Sequence, residues 1–206
     1  GVKATGKEKL KFVLSKEDET EPEKPSNPEK PEVKVASVKL AKTSYVYDGK
    51  VKKPGIVAKN NKGEKITSKD YTVKYAAGCK NVGTYTVKVN FKGDYKGTFT
   101  KTFNINPKGT SLSKVKAARK SFSATWKKQS KRTSGYQLQY STNKKFAKSV
   151  KTSTISKNTT VKKTVKKLSA KKTYYVRVRT YKNVKVGKKT VKLYSGWSKV
   201  KAVKTK

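Results

Sequence analysis

The chain has 206 residues, of which 33% are apolar, with a formal net charge of +42, no histidine and a single cysteine, Cys79. One thiol excludes an intrachain disulfide, and the missing imidazoles exclude histidine-bearing zinc sites and Ser-His-Asp triads. Residues 1–32 hold 7 basic and 8 acidic side chains, residues 33–107 hold 16 and 4, and residues 108–206 hold 31 and none, for net charges of −1, +12 and +31. Such asymmetry divides the chain into three segments, the last two each large enough to bury a core of its own.

Taken in chain order, Lys9-Leu10-Lys11-Phe12-Val13-Leu14 reads as the last strand of a preceding module, with a frayed end as the other reading. Gly1 in place of an initiator methionine reads as a processed or excised piece of a larger multidomain chain. Residues 17–32 carry four prolines among glutamates, and such a tract favours extended polyproline II and resists collapse. Segment 1–32 is therefore expected to end one module and to serve as a flexible Pro/Glu-rich spacer. No apolar run approaches the roughly 20 residues of a membrane span.

From Val33 onward, short alternating runs recur between Gly, Asn and Asp punctuation, which predicts antiparallel strands. Tyr71-Thr72-Val73-Lys74-Tyr75 puts three apolar residues on one face. Tyr85, Val87, Val89 and Phe91 repeat the device, and Phe99, Phe103 and Ile105 share one parity. Turns are expected at Tyr47-Asp48-Gly49, Asn60-Asn61-Lys62-Gly63 and Gly93-Asp94. Helical periodicity is absent, so the fold class is all-β: two tandem β-sandwiches, over 33–107 and 108–206, behind the spacer. Cys79 follows Ala76-Ala77-Gly78 on a loop and reads as an incidental thiol, since no histidine activates it.

Two family resemblances follow from the order of motifs. Tyr47-Asp48-Gly49, Pro54, Asp70-Tyr71-Thr72-Val73, Val82-Gly83-Thr84-Tyr85-Thr86-Val87, Tyr95-Lys96-Gly97 and Thr102-Phe103-Asn104-Ile105 together resemble a bacterial immunoglobulin-like repeat over about residues 34–107. Such repeats imply a surface or secreted protein of a Gram-positive bacterium. Residues 110–205 resemble a fibronectin type III domain. Phe122-Ser123-Ala124-Thr125-Trp126 looks like its second strand, with Trp126 in the core, and Gly135–Ser141 like its third. Leu168 to Arg179 resembles the turn and penultimate strand, with Tyr174 as the corner tyrosine, although Ala170-Lys171 replaces the Pro-Gly of the family pattern. Tyr194-Ser195-Gly196-Trp197-Ser198 would then begin the final strand.

If Tyr174, Val176 and Val178 point inward, period-two geometry sends Arg177 and Arg179 outward. Trp197, on the neighbouring closing strand, would lie between them, as in the tryptophan–arginine ladders of similar domains, in a stabilising role. The lysine pairs Lys127-Lys128, Lys144-Lys145, Lys166-Lys167, Lys171-Lys172 and Lys188-Lys189 are candidate contacts for a polyanion such as teichoic acid or an acidic glycan. Their other reading is a solvated, self-repelling surface that blocks edge pairing.

Catalysis is not expected. Residues 108–206 contain no carboxylate or imidazole for proton transfer. Asp48, Glu64, Asp70 and Asp94 stand apart in turn-like settings and suggest no glycosidase pair. Gly93-Asp94-Tyr95-Lys96-Gly97 lacks the spacing of a phosphate loop, and no cofactor or metal is implied. A Lys–Asn isopeptide cross-link has no assisting acid in the last segment. Lysine far outnumbers arginine, which argues against base-specific DNA recognition. The expected function is a noncatalytic extracellular spacer and adhesion segment, monomeric as a fragment. Its rivals are an accessory binding module of a larger cell-wall or glycan hydrolase and a nonspecific nucleic-acid binder.

Overall fold

A computed structural model describes residues 32–206, so the expected strand at Lys9–Leu14 and nearly all of the expected spacer lie outside the described residues. Fifteen strands make up the described chain, with one 3-10 turn at Ser68–Asp70. Thr67 Oγ1 donates to Asp70 Oδ2 across that turn at 3.0 Å, and Asp70 leads directly into a strand.

The first sandwich packs two sheets. One holds β1 (Val35–Leu40), β3 (Ile56–Asn60) and β4 (Lys65–Ile66) in the order β1-β3-β4. The other holds β2 (Ser44–Val46), β5 (Tyr71–Tyr75), β6 (Gly83–Phe91) and β7 (Thr98–Asn106) in the order β2-β7-β6-β5. Every pairing is antiparallel except β2 with β7. The alternation read in Tyr85–Phe91 and Phe99–Ile105 puts Val87, Val89, Phe103 and Ile105 at 0–1% exposure between the sheets. Around them aromatic rings meet edge to face, as in Tyr45–Phe103, Tyr71–Phe91 and Phe91–Phe99, the arrangement ring quadrupoles favour. Cys79 lies on the expected turn yet is buried in this core, where desolvation raises its thiol pKa and its Sγ donates to Ala76 O.

The second sandwich sets β8 (Leu112–Ala118), β9 (Ser121–Trp126) and β12 (Lys162–Val165), in the order β12-β9-β8, against a larger sheet. That sheet runs β11 (Lys151–Ile155), β10 (Gly135–Ser141), β13 (Thr173–Val186), β14 (Lys189–Tyr194), with β15 (Lys201–Lys204) also paired to β13. Its core is separate from the first and includes Phe122, Trp126, Tyr136, Leu138, Val176 and Val178. Gly135 is required by close approach rather than by backbone angle. An added Cβ would sit 2.0 Å from Ile155 O and 3.0 Å from the Tyr181 hydroxyl.

One element differs from the sequence reading. Trp197 does not lie on the closing strand, which begins only at Lys201; it sits in the irregular segment 195–200 between β14 and β15. The reason is local hydrogen bonding. Ser195 and Ser198 turn their hydroxyls onto the backbone, accepting from Thr180 N and Val178 N, so this stretch follows β13 without a regular ladder. Tyr194 belongs to β14, which pairs with the extended end of β13 in a hairpin.

Candidate functional site: a ring–guanidinium stack and a lysine surface

The long strand β13 positions the arginines. Val176 and Val178 are fully buried, and the strand's alternation sends Arg177 and Arg179 to the opposite, outer face. In the β10–β13 register, Gln139 stands across from Arg177 and Gln137 across from Arg179. Arg177 donates from Nε and Nη2 to Gln139 Oε1 at 3.0 and 2.7 Å, and Arg179 does the same to Gln137 Oε1 at 2.9 and 2.6 Å. Each guanidinium is thus held edge-on by one neutral carbonyl, which leaves both its faces free for rings.

Those faces are covered in sequence. The Arg177 guanidinium lies 4.0 Å from the Phe146 ring centroid and 4.4 Å from that of Trp197. Arg179 lies 4.2 Å from Trp197 on one side and 3.7 Å from Tyr194 on the other. The result is a five-tier stack in the order Phe146, Arg177, Trp197, Arg179, Tyr194. Burial lowers both guanidinium pKa values from their ordinary position, and both remain cations at any pH a protein survives. Exposed cation–π contacts contribute on the order of 0.5–1 kcal/mol each, more when desolvated.

Sequence reasoning missed Phe146, Gln137 and Gln139, and named Tyr194 only as part of a motif. Gln137 and Gln139 had a legible signal: two like-parity amides on the strand that resembles the third of the family pattern. Phe146 had none, because it reaches the stack from the β10–β11 loop. Asn143 Oδ1 accepts from Lys145 N and Ala147 N there, and Phe146 adopts φ +55° at the crest of the turn.

Trp126 is 2% exposed and packs against Tyr136 at 5.4 Å between centroids, with its indole N–H unpartnered among the described residues. Leu168 and Tyr174 are buried, and the Tyr174 hydroxyl accepts from Ser169 N at 3.2 Å across the turn. Lys171 occupies the left-handed region with φ +51°. It takes the backbone conformation suited to the glycine that the family pattern has here.

All ten lysines of the five pairs are exposed, but they form no single patch. Lys127, Lys128, Lys188 and Lys189 sit at the end of the second sandwich nearer the linker residue Lys108, whose carbonyl accepts from Thr180 Oγ1 at 2.8 Å. Lys144, Lys145, Lys166, Lys167, Lys171 and Lys172 sit on loops at the opposite end. Among the described residues no group of three or more metal-ligating side chains is gathered, and no helix is long and apolar enough to cross a membrane.

Comparison with known proteins settles the second sandwich. Residues 106–195 match the family model described as the fibronectin type III domain. This stretch is a fibronectin type III domain. The match stops at Ser195, yet β15 pairs with β13 and delivers Val203 to the core, so the sandwich extends past the matched residues. Among solved structures, the chain is similar to the FN1–FN3 domains of chicken CNTN1, at 20% identity and a TM-score of 0.39, covering 61% of this chain and 43% of that one. It is also similar to a beta-1,2-glucanase from Parabacteroides distasonis, at 13% identity and a TM-score of 0.35, covering 59% of this chain and 18% of that one. The chain thus spans less than half the length of either. No curated protein matches it.

Proposed function

We propose that residues 33–107 and 108–206 are two modules of a noncatalytic extracellular segment in a bacterial surface or secreted protein. They space or present neighbouring domains, and their cationic surface holds them against anionic polymers of a cell wall or host. The first module is read as an immunoglobulin-like repeat on its order of motifs. The fibronectin type III domain that follows is of a kind that typically binds or spaces rather than catalyses.

One observation carries the reading: the second sandwich exposes its lysine pairs with no carboxylate anywhere in residues 108–206 to neutralise them. Its field therefore reaches outward by about a Debye length, roughly 8 Å at physiological ionic strength. The absence of proton-shuttling side chains removes the usual means of turning over what it attracts. In the first sandwich, local contacts occupy three of the four acids. Asp48 accepts from Lys50 N and pairs with Lys52, which lowers its pKa; Glu64 accepts from Asn60 Nδ2; and Asp70 accepts from Thr67.

A salt-titrated binding screen of the 206-residue chain against teichoic acid, sulfated and sialylated glycans, peptidoglycan and DNA tests the proposal. Binding to acidic polymers that weakens steeply with salt is expected. Binding indifferent to salt, or no binding to any polyanion at low salt, would overturn it.

A further inference from the structure

The two outer faces of the fibronectin type III sandwich are unlike. One is covered by the ring–guanidinium stack on β10 and β13. The other, the outside of the β12-β9-β8 sheet, has no further strand or ring stack packed on it among the described residues. Down its middle strand run Ser121, Ser123 and Thr125, outward by parity because Phe122, Ala124 and Trp126 are buried. The register sets Lys114 of β8 and Lys162 of β12 on either side of Thr125, and Lys116 and Thr164 on either side of Ser123. All three lysines are exposed, whereas the central hydroxyls are half-buried. This makes a trough with a floor of small hydroxyl groups and rims about 10 Å apart, two strand spacings, one carrying Lys114 and Lys116 and the other Lys162.

We propose that this trough docks a linear, ring-free phosphodiester polymer, lying along β9 with its phosphates against Lys114, Lys116 and Lys162. The inference rests on the cationic-adhesion reading above and names its site and ligand chemistry. Three features select that chemistry. Lysine offers compact point charges suited to phosphate oxygens rather than the planar fork by which arginine grips a carboxylate. Outward positions recur every two residues, about 6.6 Å along a strand, a period short enough for one charge per small polyol unit. The floor has no aromatic side chain, so it lacks the stacking platforms on which single-stranded nucleic acid depends. The hydroxyls of Ser123 and Thr125 are placed to donate to the phosphates from below.

The test uses the full 206-residue chain and poly(glycerol phosphate), with heparin and single-stranded DNA as competitors. The triple variant K114S/K116S/K162S is compared with K59S/K74S/K88S, which removes the same charge from exposed strand positions of the first sandwich. Ser123→Tyr blocks the floor without altering charge, and a melt followed by circular dichroism, which reports on both sandwiches, verifies folding of each variant. The trough triple is expected to weaken binding about tenfold and to flatten the salt dependence by about two contacts' worth of slope. The control triple should cost under threefold, and Ser123→Tyr should weaken binding at unchanged salt slope. Equal losses in both triples would sink the trough while leaving general cationic adhesion standing. Failure of the unaltered chain to bind any polyanion would remove both. Trough-dependent preference for heparin or DNA would overturn the assigned chemistry.

Discussion

The first sandwich holds 16 cations and four carboxylates, and the second 31 cations and none. The first can settle a lysine beside an acid, as in Lys52–Asp48 at 2.5 Å. The second cannot, and it handles its half-buried cations differently: aromatic faces and neutral amide oxygens replace carboxylates around Arg177 and Arg179. The comparison teaches that a domain can tolerate extreme positive charge if its partly buried cations are arginines, whose flat, weakly hydrated heads accept rings on both sides. Its lysines, strongly hydrated, stay at the surface, with Lys182 the one half-buried exception among them.

The largest expected effect separates the two cores. Phe122 has no exposed surface in the second core, and Phe122→Ala should cost about 3–5 kcal/mol. Both tryptophans, Trp126 and Trp197, belong to the second sandwich, so their fluorescence follows that sandwich alone. Denaturation should show the tryptophan-monitored midpoint falling sharply. If Phe103→Ala in the first core lowers that same midpoint equally, the sandwiches unfold as one and the contrast between them is only compositional.

Next comes the stack. Trp197→Ala removes the ring shared by both guanidiniums, and two exposed cation–π contacts put the expected loss at about 1–2 kcal/mol. Trp197→Phe should recover part of it. A melting temperature unmoved by Trp197→Ala, followed by circular dichroism, would show that the stack does not compensate for the missing carboxylates.

A pH series sharpens the contrast further. Residues 108–206 hold no Asp, Glu, His or Cys, the side chains whose ordinary values fall between about pH 3 and 9. The stability of the second sandwich should therefore be level across that range. Burial raises the pKa of Tyr136, Tyr140 and Tyr181 above the ordinary 10.0. A raised folded pKa means their contribution is fully present below pH 10 and is lost as pH climbs through the folded values. Tyrosinate absorbance should show these phenols ionising later than free tyrosine. In the first sandwich the sign is opposite for Asp48, whose lowered pKa gives a contribution present above its ordinary value and lost in acid.

The smallest effect concerns the turn before β13. Lys171→Gly relieves a left-handed non-glycine residue but adds unfolded-state freedom, so a net gain of about 0–1 kcal/mol is expected by chemical denaturation. A loss would mean that the Lys171 side chain contributes more than its backbone strain costs.

Much of this was open to inspection in the residues. Alternation in Tyr71–Tyr75, Tyr85–Phe91 and Thr173–Val178 is a property of neighbouring positions, and period two alone fixed which side chains face the core. The same parity put Arg177 and Arg179 outside. The hydroxyl-floored trough was less visible, because Ser123 and Thr125 acquire meaning only when β8 and β12 bring lysines to either side.

Local order in the chain determined that residues 33–206 are β-structure, which alternate residues of the clearest strands face inward, and that the second half carries no Asp, Glu or His. Tertiary structure decided the rest. It split the last strand at Ser195–Val200, brought Phe146 from a distant loop onto Arg177, and paired each arginine with a glutamine across the sheet. These outcomes depend on which strands become neighbours and in what register, and residues 38 or 42 positions apart, as Gln139–Arg177 and Gln137–Arg179 are, share no local pattern that announces their meeting.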